Sequence, residues 1–249
     1  MNETKIHEMF EKEDTYWWFA ARRDMVLTIL HTYLKKGASL LDAGCGAGLL
    51  TKTVDHLYKV TATDISPLSL QLTRQRKPKA RIVLANLEKK LPLPANQFDG
   101  AVLLDVLEHI HDTKALPNIQ KVLKPNGILI ITVPAYPWLF SYWDVLHQHK
   151  RRYTRRGLTQ VLEKCGFTVI HASYFNTLLF PLILLIRLIK SLLGTLESHQ
   201  SDCYELPRRA NTLLLKIFRK ETQLATHMSI PFGLSLLVVC KKATVEKKP

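Results

Sequence analysis

Three glycines on alternate positions, Gly44, Gly46 and Gly48, follow the run Ser39-Leu40-Leu41-Asp42-Ala43, which is apolar and ends in an acid. Glycine has no Cβ, so such a turn reaches positive φ and offers bare backbone to a bulky ligand. A second run, Lys59-Val60-Thr61-Ala62-Thr63-Asp64, also ends in an acid. A carboxylate at that place can accept two hydrogen bonds from ribose hydroxyls. The spacing suits a ligand with a nucleoside half held where strands end. A dinucleotide fingerprint would need Gly or Ala at position 49, and Leu49 stands there.

Further along lies Leu104-Asp105-Val106-Leu107-Glu108-His109-Ile110. Ligands of open sheets bind at the carboxyl ends of strands, so Asp105 faces the same site. His109 is a candidate base, because an unperturbed imidazole titrates near pH ~6.5. Five of the 21 aromatics fall in residues 134–144. Tyr136, Trp138 and Trp143 from this stretch are expected to wall a planar or isoprenoid substrate. His147 follows as a second candidate base, and Arg151 and Arg152 as readers of an anionic group. His147 and His149 are two apart with no third ligand fixed by spacing, so no metal is expected.

These residues need elements to hold them. Apolar periodicity predicts two helices over 3–36, with Tyr16-Trp17-Trp18-Phe19 between them as a packing staple, a lid or an interfacial anchor. Strands are expected at 39–43, 59–64, 81–85, 98–104, 127–133 and 167–174. Helices are expected at about 47–56, 66–76, 112–123 and 155–165, with a turn at Pro125-Asn126-Gly127. Alternation of this kind implies a parallel sheet covered on both faces. The apolar run Leu178–Ile186 is short for a membrane span. The stretch Ala210–Leu224 is amphipathic, with bases on its polar side.

The sequence L-L-D-A-G-C-G-A-G followed by T-D-I-S resembles the cofactor signature of the class I S-adenosylmethionine (SAM)-dependent methyltransferases. The resemblance covers about residues 37–174 and a last strand near 234–242. It implies an α/β, Rossmann-like fold with a mostly parallel seven-stranded sheet and a helical insertion before the last strand. SAM is the implied cofactor. Asp42 would orient the loop and the cofactor's amino end, while Gly44, Cys45, Gly46 and Gly48 would meet its methionine and ribose. Asp64 would hold the ribose, Ile65 and the Asn86-Leu87 stretch would meet the adenine, and Asp105 would face the cofactor. Asn86 stands where the family often has an acid. D-x-x-E-H at 105–109 is similar to the E-x-x-E-H stretch of ubiquinone-pathway O-methyltransferases, which are associated with divalent cations. Here Asp105 replaces the longer acid.

The 249 residues can bury a sizeable core, and 47% hydrophobic content excludes disorder. The expected layout is a helical cap at 1–36, a SAM-binding core at 37–175, an insertion at 176–231, and a last strand with a basic tail at 232–249. The four cysteines lack C-x-x-C pairing, which indicates a reducing compartment. A formal net charge of +14 favours anionic partners. The expectation is a cytoplasmic enzyme, peripheral on the inner membrane face, that O-methylates a small, lipid-linked or aromatic acceptor. Methylation of RNA or protein is the alternative, although no nucleic-acid module is evident. A non-catalytic SAM-binding scaffold is a third reading.

Overall fold

A computed structural model of the chain describes residues 3–181, 183–185 and 206–243. Seven strands form one sheet: β1 Ser39–Ala43, β2 Lys59–Asp64, β3 Arg81–Leu84, β4 Phe98–Leu104, β5 Leu123–Pro134, β6 Phe167–Phe175 and β7 Ser235–Lys242. Their order is β3-β2-β1-β4-β5-β7-β6. The first five pair in parallel, and β7 runs antiparallel between β5 and β6. The order reverses between β1 and β4. In such sheets the crevice beside the reversal, at the strands' carboxyl ends, is where ligands bind.

The helices are α1 Glu3–Lys12, α2 Trp17–Tyr33, α3 Leu49–Val54, α4 Pro67–Gln75, α5 Asp112–Val122, α6 Tyr142–Leu146, α7 Arg155–Lys164 and α8 Arg208–His227. Two apolar layers sandwich the sheet. One contains Leu41, Leu103, Leu116, Ile119, Leu129 and Leu158. The other contains Met25, Leu30, Leu40, Val102, Ile130 and Phe218. Alternate residues of β4 and β5 enter opposite layers, as the period of two requires.

The boundaries depart from expectation at one place. The expected turn Pro125-Asn126-Gly127 lies inside β5. Asn126 takes φ 60°. Pairing with β4 jumps from Phe98–Leu123 to Gly100–Ile128. The turn residues are therefore absorbed as a bulge, across which the register shifts before regular pairing resumes at Gly100–Ile128.

The aromatic run after α1 is a packing seam. Trp18 stacks on Phe218 at 5.1 Å and on Phe175 at 5.8 Å, and Trp17 meets Phe218 edge-on at 5.1 Å. Asn211 joins the same two helices: its Oδ1 accepts from Trp17 N and its Nδ2 donates to Thr15 O. Arg219 pairs with Asp24 at 2.7 Å. The amphipathic segment expected in the insertion is thus α8, docked along α2. The apolar run at 178–186 lies partly outside the described residues. Cys45, Cys165 and Cys240 are free thiols.

Helix α1 is latched over the glycine turn by Arg76. Its Nε donates to Ala47 O at 2.8 Å, Nη2 to Phe10 O at 3.1 Å and Nη1 to Asp14 at 2.8 Å. Glu13 lies 3.7 Å from the same guanidinium and is buried. Burial pushes its carboxyl up to about 7, although Arg76 and Arg22 both oppose the rise.

Phe218→Ala should destabilise the protein by about 3–5 kcal/mol, the usual cost of emptying such a site, as read by urea denaturation. Glu13 binds its proton more tightly when folded than when unfolded. Its contribution is therefore full below the unfolded carboxyl range and is lost as pH rises through about 7. Glu13→Gln should gain stability over the parent at pH 8 relative to pH 5. Parallel denaturation curves at the two pH values check this.

Candidate active site

The carboxyl ends of β1 and β2 carry the expected acids. Asp42 is buried and accepts from Thr51 Oγ1 at 2.6 Å. Burial raises its pKa to about 6, and the Thr51 bond opposes that. Asp64 accepts from Gly46 N at 3.0 Å and from Ser66 N at 2.8 Å, one donor on each oxygen. Each oxygen keeps a lone pair, since a carboxylate has about four acceptor sites. The Asp64 carboxylate therefore shapes the glycine turn and can still receive hydroxyls. Ile65 beside it is 65% exposed, an apolar surface next to a carboxylate.

Gly44, Gly46 and Gly48 all have positive φ, at 79°, 55° and 83°. A Cβ on Gly44 would come within 2.6 Å of Val106, and one on Gly48 within 2.6 Å of Thr73. Those two are fixed by packing against the protein itself. Gly46 faces only the end of the Met9 side chain, at 2.8 Å, which makes it the glycine whose backbone a ligand can reach. Cys45 Sγ sits 3.7 Å from Thr73 Oγ1, and burial pushes its thiol upward, so it lines the turn as an inert group. A pair of acids, a reachable backbone and an exposed apolar flank fit an adenosyl group carrying a polar tail.

The third strand end is less as expected. Asn86 Oδ1 accepts from Glu88 N at 2.8 Å. Leu87 is buried in the core cluster with Leu91 and Phe98, so its side chain does not reach the cofactor mouth.

Asp105 ends β4 with φ 54°, a conformation costly for a residue with a Cβ. Two bonds hold it there. Thr132 Oγ1 donates to Oδ1 at 3.0 Å, and Arg22 of α2 donates to Oδ2. Arg22 also lies 5.5 Å over the ring of Phe19. Burial lowers its pKa, while Glu13, Glu108 and Asp42 act to restore it. No periodicity in the sequence singled out Arg22. It reaches the site only because α2 crosses the carboxyl edge.

Beyond β5 the chain makes a compact loop around Asp144, whose side chain is fully buried. Ser141 caps α6 with an S-x-x-D box, in which Asp144 Oδ2 accepts from Ser141 N at 2.8 Å. Asp144 Oδ1 accepts from Arg152 Nε at 2.7 Å and pairs with His149 Nδ1 at 2.9 Å. Burial works against this carboxylate, yet His149, Arg152 and Ser141 together hold it down at about 2. The spacing S-x-x-D at 141–144 was the available signal for this cap.

Several expected roles change as a result. Arg152 is locked on Asp144 and Ala135 O, and Arg151 pairs with Asp112 at 3.2 Å. Arg152 is therefore not free to read an anion, whereas Arg151 stays partly exposed beside Asp112. His109 has Nδ1 3.3 Å from Gln148 O, and burial with the nearby His149 pushes its pKa down to about 4. An imidazole so depressed is a weak base at neutral pH. His147 Nδ1 lies 2.9 Å from Trp143 O. The structure instead gathers Glu108, His109 and His149, whose ligating atoms lie within 4.8 Å of one another. Glu108 is 0% exposed, and burial pushes its carboxyl up to about 8.

The aromatic stretch does form a surface. Tyr136, at φ 61°, stacks on Tyr174 at 5.1 Å and tilts against Trp138 and Phe180. Trp138 is 64% and Phe140 41% exposed. Trp143 is half-buried on α6.

Known proteins are similar to this chain in sequence and in fold. A family model described as a methyltransferase domain matches residues 41–131. A demethylmenaquinone methyltransferase of Tropheryma whipplei is 30% identical over 51% of this chain and 52% of its own. A ubiquinone biosynthesis O-methyltransferase of Caulobacter vibrioides is 32% identical over 39% of this chain and 40% of its own. The chain thus spans about half the length of these curated relatives, or less. In fold, it superposes on Haemonchus contortus phosphoethanolamine N-methyltransferase 2 bound to SAM. The TM-score is 0.58 at 18% identity, over 88% of this chain and 52% of that one. The strand order, the acid-flanked glycine turn and the matched residues agree: this chain carries a class I SAM-dependent methyltransferase domain.

Proposed function

We propose that the protein moves a methyl group from SAM to an oxygen of a small, apolar acceptor that is aromatic or lipid-linked. The observation that carries the acceptor class is the pair of exposed rings, Trp138 and Phe140, beside half-buried Tyr136 beyond the end of β5. Exposed Leu178 and Phe232 extend that apolar surface. A ring or isoprenoid chain lying there would bury carbon against carbon. The relatives named for quinone substrates support the same class.

Bound SAM supplies an electrophilic methyl carbon on a sulfonium. What remains for the protein is alignment and exclusion of water. Asp64 would accept the ribose hydroxyls, Gly46 would leave room for the cofactor's tail, and Ile65 would flank the adenine. Asp42 would act through Thr51 to hold α3 and the turn. Asp105, pinned by Arg22 and Thr132, would close the β4 side. Asn86 would accept the adenine amino group only by giving up its bond to Glu88 N.

A membrane surface is the proposed place of work. The outer face of α8 exposes Leu213, Ile217 and Leu224 between Arg209, Lys216 and Lys220. Among the described residues no helix is long and apolar enough to cross a membrane. Apolar side chains interleaved with bases suit the interface of an anionic leaflet.

Asp64→Ala should weaken SAM binding at least tenfold in calorimetry, from the loss of hydrogen bonds worth about 1.5–3 kcal/mol to the charged group. Unchanged binding would remove Asp64 from the site. In vesicle flotation the protein should rise with phosphatidylserine-containing liposomes and fall back in high salt. The triple change Leu213→Ser, Ile217→Ser and Leu224→Ser should abolish flotation without altering SAM affinity. A protein that stays at the bottom with every lipid mixture argues for a soluble acceptor.

A further inference from the structure

We propose that the amino edge of the sheet, opposite the methyl-transfer centre, docks the phosphodiester backbone of a nucleic acid.

The charges of this chain are sorted by edge. Asp42, Asp64 and Asp105 lie at the carboxyl ends of β1, β2 and β4. The amino ends carry bases instead. Lys35 and Lys36 precede β1, Lys59 opens β2, and Lys77, Lys79 and Arg81 lead into β3. Lys121 precedes β5, and Lys164 closes α7 ahead of β6. Lys241 reaches the same edge from the end of antiparallel β7. All of these side chains are exposed, and none has an ionic partner among the described residues.

Acids at this edge do not offset them. Asp99 is taken by Lys124 at 2.7 Å. Asp55 lies 3.9 Å from Lys52 and accepts from Lys79 N at 2.8 Å. Glu163 alone faces the row without an ion pair among the described residues.

The row is continuous, because hydrogen bonds tie loop to loop. Gly37 N donates to Leu57 O at 2.7 Å, which joins the loops before β1 and β2. Lys52 Nζ donates to Lys77 O at 3.1 Å, which joins α3 to the loop before β3. Asn96 N donates to Lys121 O at 3.0 Å, and Ala243 N to Gly166 O at 2.9 Å. Seven strands at about 4.8 Å spacing spread the cations over roughly 29 Å. At one end Lys59, Lys79 and Arg81 share a cavity of about 440 Å³. A recess lined by one sign of charge concentrates the field and draws in counter-ions.

The surroundings choose the partner. Among the described residues, the loops of this edge expose no large apolar side chain, and Tyr33 at the end of α2 is 38% exposed. Nothing here would enter a bilayer, in contrast to the outer face of α8. Nothing here would form the apolar centre of a protein interface either, where charged residues are depleted. Fixed cations without such anchors suit a repeating phosphate, bound through counter-ion release and without regard to sequence. A duplex offers one such charge per about 1.7 Å of its axis. The row lies a full strand length from the glycine turn, so the nucleic acid is a tether and not the methyl acceptor.

The test is fluorescence anisotropy with a fluorescein-labelled DNA duplex of about 20 base pairs, titrated at several salt concentrations. The expected dissociation constant is on the order of 10⁻⁶ to 10⁻⁴ M near physiological salt, weakening steeply as salt rises. A duplex of scrambled sequence should bind equally. The triple change Lys59→Gln, Lys79→Gln and Arg81→Gln should weaken binding at least about tenfold and flatten the log–log salt slope by about 3. SAM affinity, read by calorimetry, should hold. Should that variant misfold, Lys35→Gln with Lys36→Gln, outside every strand and helix, should flatten the slope by about 2. Lys216→Gln with Lys220→Gln on α8 should leave binding unchanged. Four results would overturn the inference: no binding at low salt, binding indifferent to both edge variants, equal loss in the α8 variant, or tighter binding of labelled polyglutamate than of the duplex, which would give the edge to an acidic protein.

Discussion

The loop that follows β5 is organised by one buried charge. Asp144 has no exposed side-chain surface, yet it stays ionised because a guanidinium, an imidazole and a backbone N–H converge on it. Removing one partner from a buried pair typically costs about 3–5 kcal/mol, since the other charge is left stranded. Residues 135–153 are thereby tied together by side-chain bonds within the loop. Tyr153 completes the closure: its N–H donates to Pro134 O, and its hydroxyl donates to Asp112 at 2.9 Å. His149, Arg152 and the cap at Ser141 all take their positions from that carboxylate.

Charge burial recurs around the whole carboxyl edge. Arg22, Arg76 and Arg151 each pair with an acid from a distant part of the chain, and Arg152 closes its own loop on Asp144. A chain with a net charge of +14 thus spends several of its arginines inside. The excess that remains outside is carried largely by lysines and by α8. Arginine suits the inner task because its planar fork serves several acceptors from one position, as Arg76 does for Ala47, Phe10 and Asp14.

Most of the sheet was legible in the sequence, because a buried parallel strand writes itself as a short apolar run ending at a turn. β1, β2 and β4 needed nothing more, and the acids Asp42 and Asp64 could be read directly from their ends. The bulge in β5 was not legible. Pro125-Asn126-Gly127 has turn chemistry, and only the partner strand decides whether the turn reverses the chain or is absorbed. Leu87 was misjudged for a similar reason, since its facing depends on where the chain goes after β3. His109, Arg151 and Arg152 were read as free chemical groups, whereas folding gives them partners in Gln148, Asp112 and Asp144. Arg22 was invisible because only the crossing of α2 brings it to Asp105, whereas the cap at Asp144 was legible in the S-x-x-D spacing.

Met9 lies over the backbone of Gly46, at the end of a helix that Arg76 ties down. A ligand that uses that bare backbone must compete with the methionine for it. Its observed affinity is then the intrinsic affinity less the work of moving Met9 aside. Residues that never touch the ligand, such as Phe10 on α1 and Asp14 just after it, enter its dissociation constant through this competition. The N-terminal helix is in effect a tethered occupant of its own binding site, with an effective concentration set by the latch.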